Sequence, residues 1–298
     1  MEGTKCTPST ILRDNQETYQ LLSFIGQGGY GSVAKAKKIG ESKQFYAIKS
    51  FETIDDEENE EYQAFQQTSH MENVVKGFSS FKNETHTHIV MEMLEGGDLW
   101  DYLLDYGPMP RKQALILFKQ LVKTVGELLR IGLFPGDIKA ENLFYDKENM
   151  SLKILDLGGF KHMNKKDGLK KCVATPTCSP PEVHLETNSD KREELKSGEL
   201  HLSWTLGLVL WHMLTGEQKT IYSEEDIKKF DLRITSSYKS YELQDTEAYY
   251  LVVQLLALDP AKRLKFWTLH EKIVGTSHHH IISLTFKLFL ATKTKNCR

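Results

Sequence analysis

The sequence predicts an α+β fold in two lobes, a small antiparallel β lobe carrying one main helix and a larger, mainly helical lobe after it. Three observations predict it. Short β-rich segments punctuated by glycine fill residues 19–51. A helix-forming stretch then separates them from two further strand-like pieces. After Gly96-Gly97 the hydrophobic period changes from that of a strand to that of a helix.

Taken in order, residues 19–25, 32–38 and 44–51 read as an antiparallel meander. Residues 61–68 read as the helix, and residues 74–81 and 88–93 as the remaining strands. In the second lobe Leu115, Phe118, Leu121, Val122, Val125, Leu128 and Leu129 lie on one stripe of a long helix. Short apolar pieces at 142–145 and 152–155 interrupt the helical pattern, which resumes at 203–214 and 246–258. The expected organisation is an N-terminal extension (1–18), one folded domain (19–272, dividing between 94 and 95) and a tail (273–298). Residues 220–244 are polar and poorly patterned.

Composition excludes several classes of function. With 40% apolar and 27% charged side chains in 298 residues, the chain reads as soluble and globular. Residues 1–10 hold no apolar leader core, and the apolar run 281–291 is broken by Lys287 and too short to span a bilayer. No membrane partner is expected, and the expected location is the cytoplasm, the nucleus or both. Four cysteines without a C-x-x-C pair give neither a disulfide framework nor a zinc site, so Cys172 and Cys178 read as free thiols. A net charge of −3 argues against wholesale nucleic-acid binding. The acidic run 55–61 and the basic run 161–171 read as solvated faces.

The segment Ile25-Gly26-Gln27-Gly28-Gly29-Tyr30-Gly31-Ser32-Val33 lies between two expected strands. A dinucleotide loop with these glycines should open a helix. Here a strand follows, so the context selects a hairpin lying close over phosphates. Tyr46-Ala47-Ile48-Lys49 then places a lysine at the end of an apolar strand. A buried ammonium needs anionic partners, and phosphate oxygens with a helix carboxylate would serve. Glu61 is the best carboxylate candidate because Phe65 lies one turn on to pack the same face; Glu58 and Glu60 are near alternatives. The plainer reading makes Lys49 and these glutamates surface charges.

Gly136-Asp137-Ile138-Lys139-Ala140-Glu141-Asn142 delivers three polar groups on one loop. Asp137 can accept a hydroxyl proton, Lys139 can stabilise a transferring phosphoryl group, and Asn142 can offer a neutral oxygen to Mg²⁺. In Asp156-Leu157-Gly158, Asp156 would be the anionic metal ligand and Gly158 would permit a sharp turn.

In this order and spacing, together with Ser179-Pro180-Pro181-Glu182, these motifs resemble those of eukaryotic protein kinases over residues 19–272. The resemblance implies that ATP and Mg²⁺ bind between the lobes. Lys49 would hold the α/β-phosphates and pair with Glu61, and Ala47 and Val33 would enclose the adenine. Met91, Glu92 and Met93 would form the hinge, and Asp98 would reach the ribose. Arg263 matches the arginine that pairs with the glutamate of Pro-Pro-Glu, here Glu182, in a structural ion pair. Trp204-Thr205-Leu206-Gly207 resembles the start of the central large-lobe helix. Lys139 resembles serine/threonine kinases more than tyrosine kinases, so the expected partners are ATP and protein hydroxyls, acted on by a monomer.

The subfamily stays open between a Pim-like and a homeodomain-interacting-kinase-like chain. A Pim likeness would make Asp98, Asp101 and Glu141 an acidic rim favouring basic residues upstream of the target; otherwise Asp98 serves only ribose.

Three positions depart from the family pattern. Pro135-Gly136-Asp137 stands for His-Arg-Asp, Asp156-Leu157-Gly158 for Asp-Phe-Gly, and Leu202 for an aspartate two residues before Trp204. Gly136 offers no guanidinium to a phosphate on Thr175, Thr177 or Ser179, so catalysis is expected not to need one there; Lys161, Lys165, Lys166, Lys170 and Lys171 are alternative receivers. Two other readings stay open: a pseudokinase, favoured by Pro135, Gly136 and Leu202, and a small-molecule kinase of similar fold.

Overall fold

The computed structural model describes residues 10–163 apart from 15–16, 29–30, 42 and 54–59, and then residues 178–185, 198–217, 225–226, 229 and 246–275. The chain divides into two units. The first runs through Gly97 and takes in Lys153–Gly158; the second holds Asp98–Leu152 and the residues from Gly159 onward.

The first unit is built on a six-stranded antiparallel sheet in the order β1-β2-β3-β4-β6-β5. Its strands are β1 (Ile11–Arg13), β2 (Thr18–Gly28), β3 (Gly31–Lys38), β4 (Phe45–Glu52), β5 (Gly77–Lys82) and β6 (His86–Glu92). Alternation sends Tyr19, Leu21, Ala34, Ala36, Tyr46, Ile48 and Val90 into one hydrophobic core. The same period turns Ala47 and Lys49 to the opposite face, where Lys49 lies across from Val33 and Ala47 from Met91. Helix α1 (Glu60–Thr68) packs on β5 at close range. A Cβ on Gly77 would stand 2.7 Å from Phe65, which is fully buried. Phe65 shares a helix face with Glu61, so this contact also sets the depth of that carboxylate.

Strip 153–158 joins the first unit although it follows the helical pattern in sequence. Its backbone explains why. Ile154 bridges Val74 in parallel, the Val75 N–H donates to the Ile154 carbonyl, and the Ile154 N–H donates to the Asn73 carbonyl, both at 2.9 Å.

In the second unit, helices α2 (Leu99–Tyr106) and α3 (Arg111–Arg130) come first. Asp98 caps α2 by accepting the Asp101 N–H at 2.8 Å. The buried stripe of α3 runs through Ala114, Leu117, Phe118, Leu121, Val122, Val125, Leu128 and Leu129. Leu115 is only half-buried, because Ala114 and Leu117 turn the start of the stripe away from it.

Strand β7 (Leu133–Pro135) pairs antiparallel with β10 (Phe160–His162), and β8 (Leu143–Asp146) pairs with β9 (Ser151–Ile154). A 3₁₀ turn at Ala140–Asn142 leads into β8. After α4 (Pro181–Leu185) comes α5 (Glu199–Thr215), buried at every position from His201 to Thr215. A helix apolar nearly all round belongs at the centre, and α3, α6 (Glu247–Leu255) and α7 (Phe266–Val274) pack against it. Strands β1, β7 and β10 were not legible, being three residues each, below the length at which a period can be read. Among the described residues no helix is long and apolar enough to cross a membrane.

The approach of α5 to α6 depends on Gly207, where an added Cβ would lie 2.7 Å from Leu256 Cδ2 and 2.8 Å from Leu255 Cβ. Gly207→Ala should therefore destabilise the protein by about 1–3 kcal/mol, because backbone-anchored neighbours must move. A urea titration reads this directly; an unchanged midpoint would show that the helices can part without cost.

Candidate active site

The first unit holds Lys49, only 6% exposed, between two carboxylates. Its Nζ donates to Glu61 Oε1 at 2.7 Å and Oε2 at 3.0 Å, and to Asp156 Oδ1 at 2.9 Å. Burial works against the ammonium, but Glu61 and Asp156 outweigh it and hold Lys49 above its usual value. Burial pushes Glu61 up to about 7 against the pull of Lys49, whereas Asp156, opposed by burial, is drawn below the usual carboxylate range by Lys49. Glu60 is half-buried, and Glu58 lies outside the described residues.

Asp156 is fixed from its own side as well. Its Oδ1 accepts the Gly158 N–H at 2.9 Å, and a Cβ on Gly158 would come within 3.2 Å of that oxygen. Leu157, between them, is buried.

Gly26, Gln27 and Gly28 of β2 pair with Val33, Ser32 and Gly31 of β3 in one hairpin, with Ile25 exposed beside them. Gly29 and Tyr30 lie outside the described residues. Gly31 has φ of 118°, and a side chain there would meet the Ser50 carbonyl at 2.4 Å, so only glycine lets the hairpin lie this close to β4. Met91 is buried at the end of β6, and Met93 follows it. The Glu92 carboxylate is already engaged, accepting from Lys153 Nζ and the Lys76 N–H at 2.8 Å each. Lys153 is a partner the sequence did not disclose.

In the second unit the loop after β7 gathers Asp137, Lys139 and Asn142. Asp137 is 7% exposed, and its Oδ2 lies 2.9 Å from Lys139 Nζ. Asn142 Nδ2 donates to Asp137 Oδ2 at 3.1 Å and to the Asp137 carbonyl at 2.9 Å. Spending its amide nitrogen this way leaves the Asn142 carbonyl oxygen for another electrophile. Burial opposes the Lys139 charge, and Asp137 more than offsets it, holding Lys139 above its usual value.

Asp98 stands next to Asp101 and Glu141. Its carboxyl is raised by burial first and then by those two negative neighbours. Its capping bond to α2 is a structural duty, added to any contact with a ligand.

The donor set suits magnesium. Among the described residues no group of three or more His, Cys, Asp or Glu could hold a metal ion alone. Magnesium is characteristically bound through hard oxygens, by one or two carboxylates together with substrate phosphates, and Asp156 of the first unit and Asn142 of the second are each of that donor type.

Also in the second unit, Arg263 Nη1 and Nη2 donate to Glu182 Oε1 and Oε2 at 2.6 and 2.8 Å. Arg263 Nε donates to the Ala257 carbonyl at 3.0 Å and Nη1 also to the Leu200 carbonyl at 3.3 Å. The guanidinium lies over the Trp204 ring at 5.0 Å. This forked pair ties α4, the start of α5 and the turn before α7 together.

The candidate phosphorylated positions Thr175 and Thr177 and the candidate receivers Lys165, Lys166, Lys170 and Lys171 lie outside the described residues, as do Cys172 and most of 220–244. Ser179 is buried.

Two outcomes follow from this geometry. Arg263→Met should cost about 3–5 kcal/mol, since it strands the Glu182 carboxylate, and Glu182→Leu combined with it should restore much of the loss in a chemical-denaturation series. Glu61 has a folded value above its unfolded one, so its contribution to stability is complete below about 4.5 and is lost as pH rises toward 7. Relative to Glu61→Gln, the wild type should lose stability between those pH values and run parallel above them. Parallel curves throughout would remove the burial account.

A model of the protein kinase domain matches residues 19–274. The probable serine/threonine-protein kinase HSL1 of Saccharomyces cerevisiae is 31% identical over 193 residues, which is 64% of this chain and 12% of that protein. A probable myosin light chain kinase of Dictyostelium discoideum is 27% identical over 268 residues, 86% of this chain and 53% of that protein. The chain thus spans no more than about half the length of these relatives. Neither is named for the Pim or the homeodomain-interacting kinases. With its N-terminal antiparallel sheet and helix followed by a helical lobe, this chain belongs to the protein kinase family.

Proposed function

We propose that the chain is a serine/threonine protein kinase that transfers the γ-phosphate of ATP to protein hydroxyls. The observation that carries this reading is the buried Lys49 ammonium held between Glu61 and Asp156. A lysine so placed presents a fixed positive charge that phosphate oxygens can share. Ala47, Val33 and Met91 would enclose the adenine, Glu92 and Met93 would offer backbone at the hinge, and Asp98 would meet the ribose. The hairpin of residues 25–33 would cover the phosphates.

Asp137, in contact with Asn142 and Lys139, would accept the proton of an incoming hydroxyl. Lys139 would share the charge of the transferring phosphoryl group. Asp156 and the Asn142 carbonyl would hold magnesium, which when bound neutralises phosphate charge. The serine/threonine preference is drawn from Lys139 and from the printed name of the yeast relative.

A second reading, a pseudokinase that binds nucleotide without transferring phosphate, is favoured by Gly136 and Leu202. The deciding assay is transfer of radiolabelled phosphate from Mg²⁺-ATP to a basic test protein by wild type, Asp137→Ala and Lys49→Met. Loss of signal in both variants is expected; equal signal in all three marks a contaminant and the pseudokinase.

Regulation follows from Gly136, which has no side chain to receive a phosphate. Replacing Thr175, Thr177 and Ser179 together by alanine should leave the transfer rate largely unchanged in that assay. A collapse in rate would mean that one of them carries an activating phosphate received elsewhere in the chain. The acidic group of Asp98, Asp101 and Glu141 further suggests a preference for arginine or lysine upstream of the target, which a flat peptide-array profile would remove.

A further inference from the structure

Three helices of the second unit, α3, α6 and α7, border a groove of about 320 Å³. Its apolar lining comes from all three, with Leu115 and Ile116 of α3, Leu251 of α6 and Ile273 of α7. Ile116 is 42% exposed and shares the outer face of α3 with Lys112, Lys119 and Lys123. A lone exposed isoleucine is ordinary, but one that continues an apolar hollow between three helices marks a surface suited to being covered. Charge gathers at the same place. Lys112, Lys119 and Lys272 stand at the groove, and Glu247 is the one acid among the described residues that line it.

The chain leaves the fold beside this groove. Ile273 is part of the lining, and Gly275, with φ of 96°, ends α7 two residues later. Residues 276–298 lie outside the described residues. Their sequence begins with the polar link Thr276-Ser277-His278-His279-His280 and continues with the apolar run 281–290, in which Ser283, Thr285 and Lys287 are the only polar residues. Such a run is costly to leave in water and too short to cross a bilayer.

We infer that the run 281–290 of this same chain seats on the groove between α3, α6 and α7. Reach permits it. The link 276–280 spans up to about 18 Å, whereas Lys112 and Lys119 lie two turns apart on α3, about 10 Å along its axis. A segment tethered by so short a link meets its site at an effective concentration of ~1 mM, so even a weak contact is largely formed. Charge permits it as well, because Lys287 is the single charge in the run and Glu247 the single acid at the groove. The lysine stems can lie along apolar side chains with their ammonium groups in water. Repulsion from those groups would turn Lys293, Lys295 and Arg298 away from the groove after the run. The docking lies within the second unit, uses no residue of the Asp137 loop and does not rest on the kinase reading.

The test labels the amines of the full chain with an acylating reagent and reads each lysine by peptide mass spectrometry. It compares wild type, Phe286→Asp combined with Leu288→Asp, and Ile116→Asp. In wild type, Lys112, Lys119 and Lys272 should label more slowly than Lys123, whose side chain is 63% exposed on the same helix. Either variant should speed labelling of those three about threefold or more and leave Lys123 and Lys139 unchanged. Joining all three substitutions should add nothing further, because both variants remove the same contact.

Wild-type labelling in the Phe286 and Leu288 variant would overturn the proposal, since the groove would then be bare or covered by another molecule, such as an acidic partner peptide. Protection that grows with protein concentration would also overturn it, by placing a second copy on the groove. Should Ile116→Asp unfold, seen as fast labelling of Lys139, the Phe286 and Leu288 variant decides alone, because it alters no described residue.

Discussion

A lysine ammonium cannot remain buried unless anions surround it, and the first unit is arranged around that constraint. Lys49 reaches its position because strand alternation turns it away from the core that holds Ile48. Glu61 reaches it because α1 lies close on β5, which only a glycine at position 77 allows. Asp156 reaches it because strip 153–158 bonds to the backbone at Asn73 and Val75. Three segments distant in sequence are fixed by unrelated contacts, and each delivers one member of the triad. Removing any member leaves the others charged and desolvated, so the cluster resists piecemeal change. Its ion balance is also tunable. Glu61 stands at about 7, and a triphosphate arriving beside Lys49 would compete with it for the same ammonium.

The second unit answers the same physical problem differently. Its buried cation, Arg263, makes no demand on a ligand, since Glu182, Ala257 and Leu200 occupy its donors. An arginine suits this task because its planar fork matches a carboxylate and stacks on Trp204. A cation so engaged serves as a joint, whereas the ammonium of Lys49, compact and held by Glu61 and Asp156, can share its charge with a newcomer. The two buried cations thus divide the work of scaffold and site.

Much of this was legible in the sequence, for a physical reason. Residues whose chemistry depends on being held in a loop, such as Asp137, Lys139, Asn142 and Asp156, come with glycines and flanking apolar strands that betray the loop. Long periods were equally plain, as in α3 and α5. What escaped depended on partners far along the chain. Nothing local marks Lys153 as the partner of Glu92, and nothing local tells that strip 153–158 belongs with the sheet. Leu115 shows the limit of periodicity itself. A stripe can be read to within one residue of its true axis, and only the neighbouring helices settle which flank turns inward.

The departures at Gly136 and Leu202 are best understood together. An aspartate at position 202 would bring a buried charge that needs donors, and a loop without side chains at Gly136 would offer it fewer. Leucine removes the demand. Such a residue is cheaper to bury than an ion, because it leaves no polar group in search of a partner.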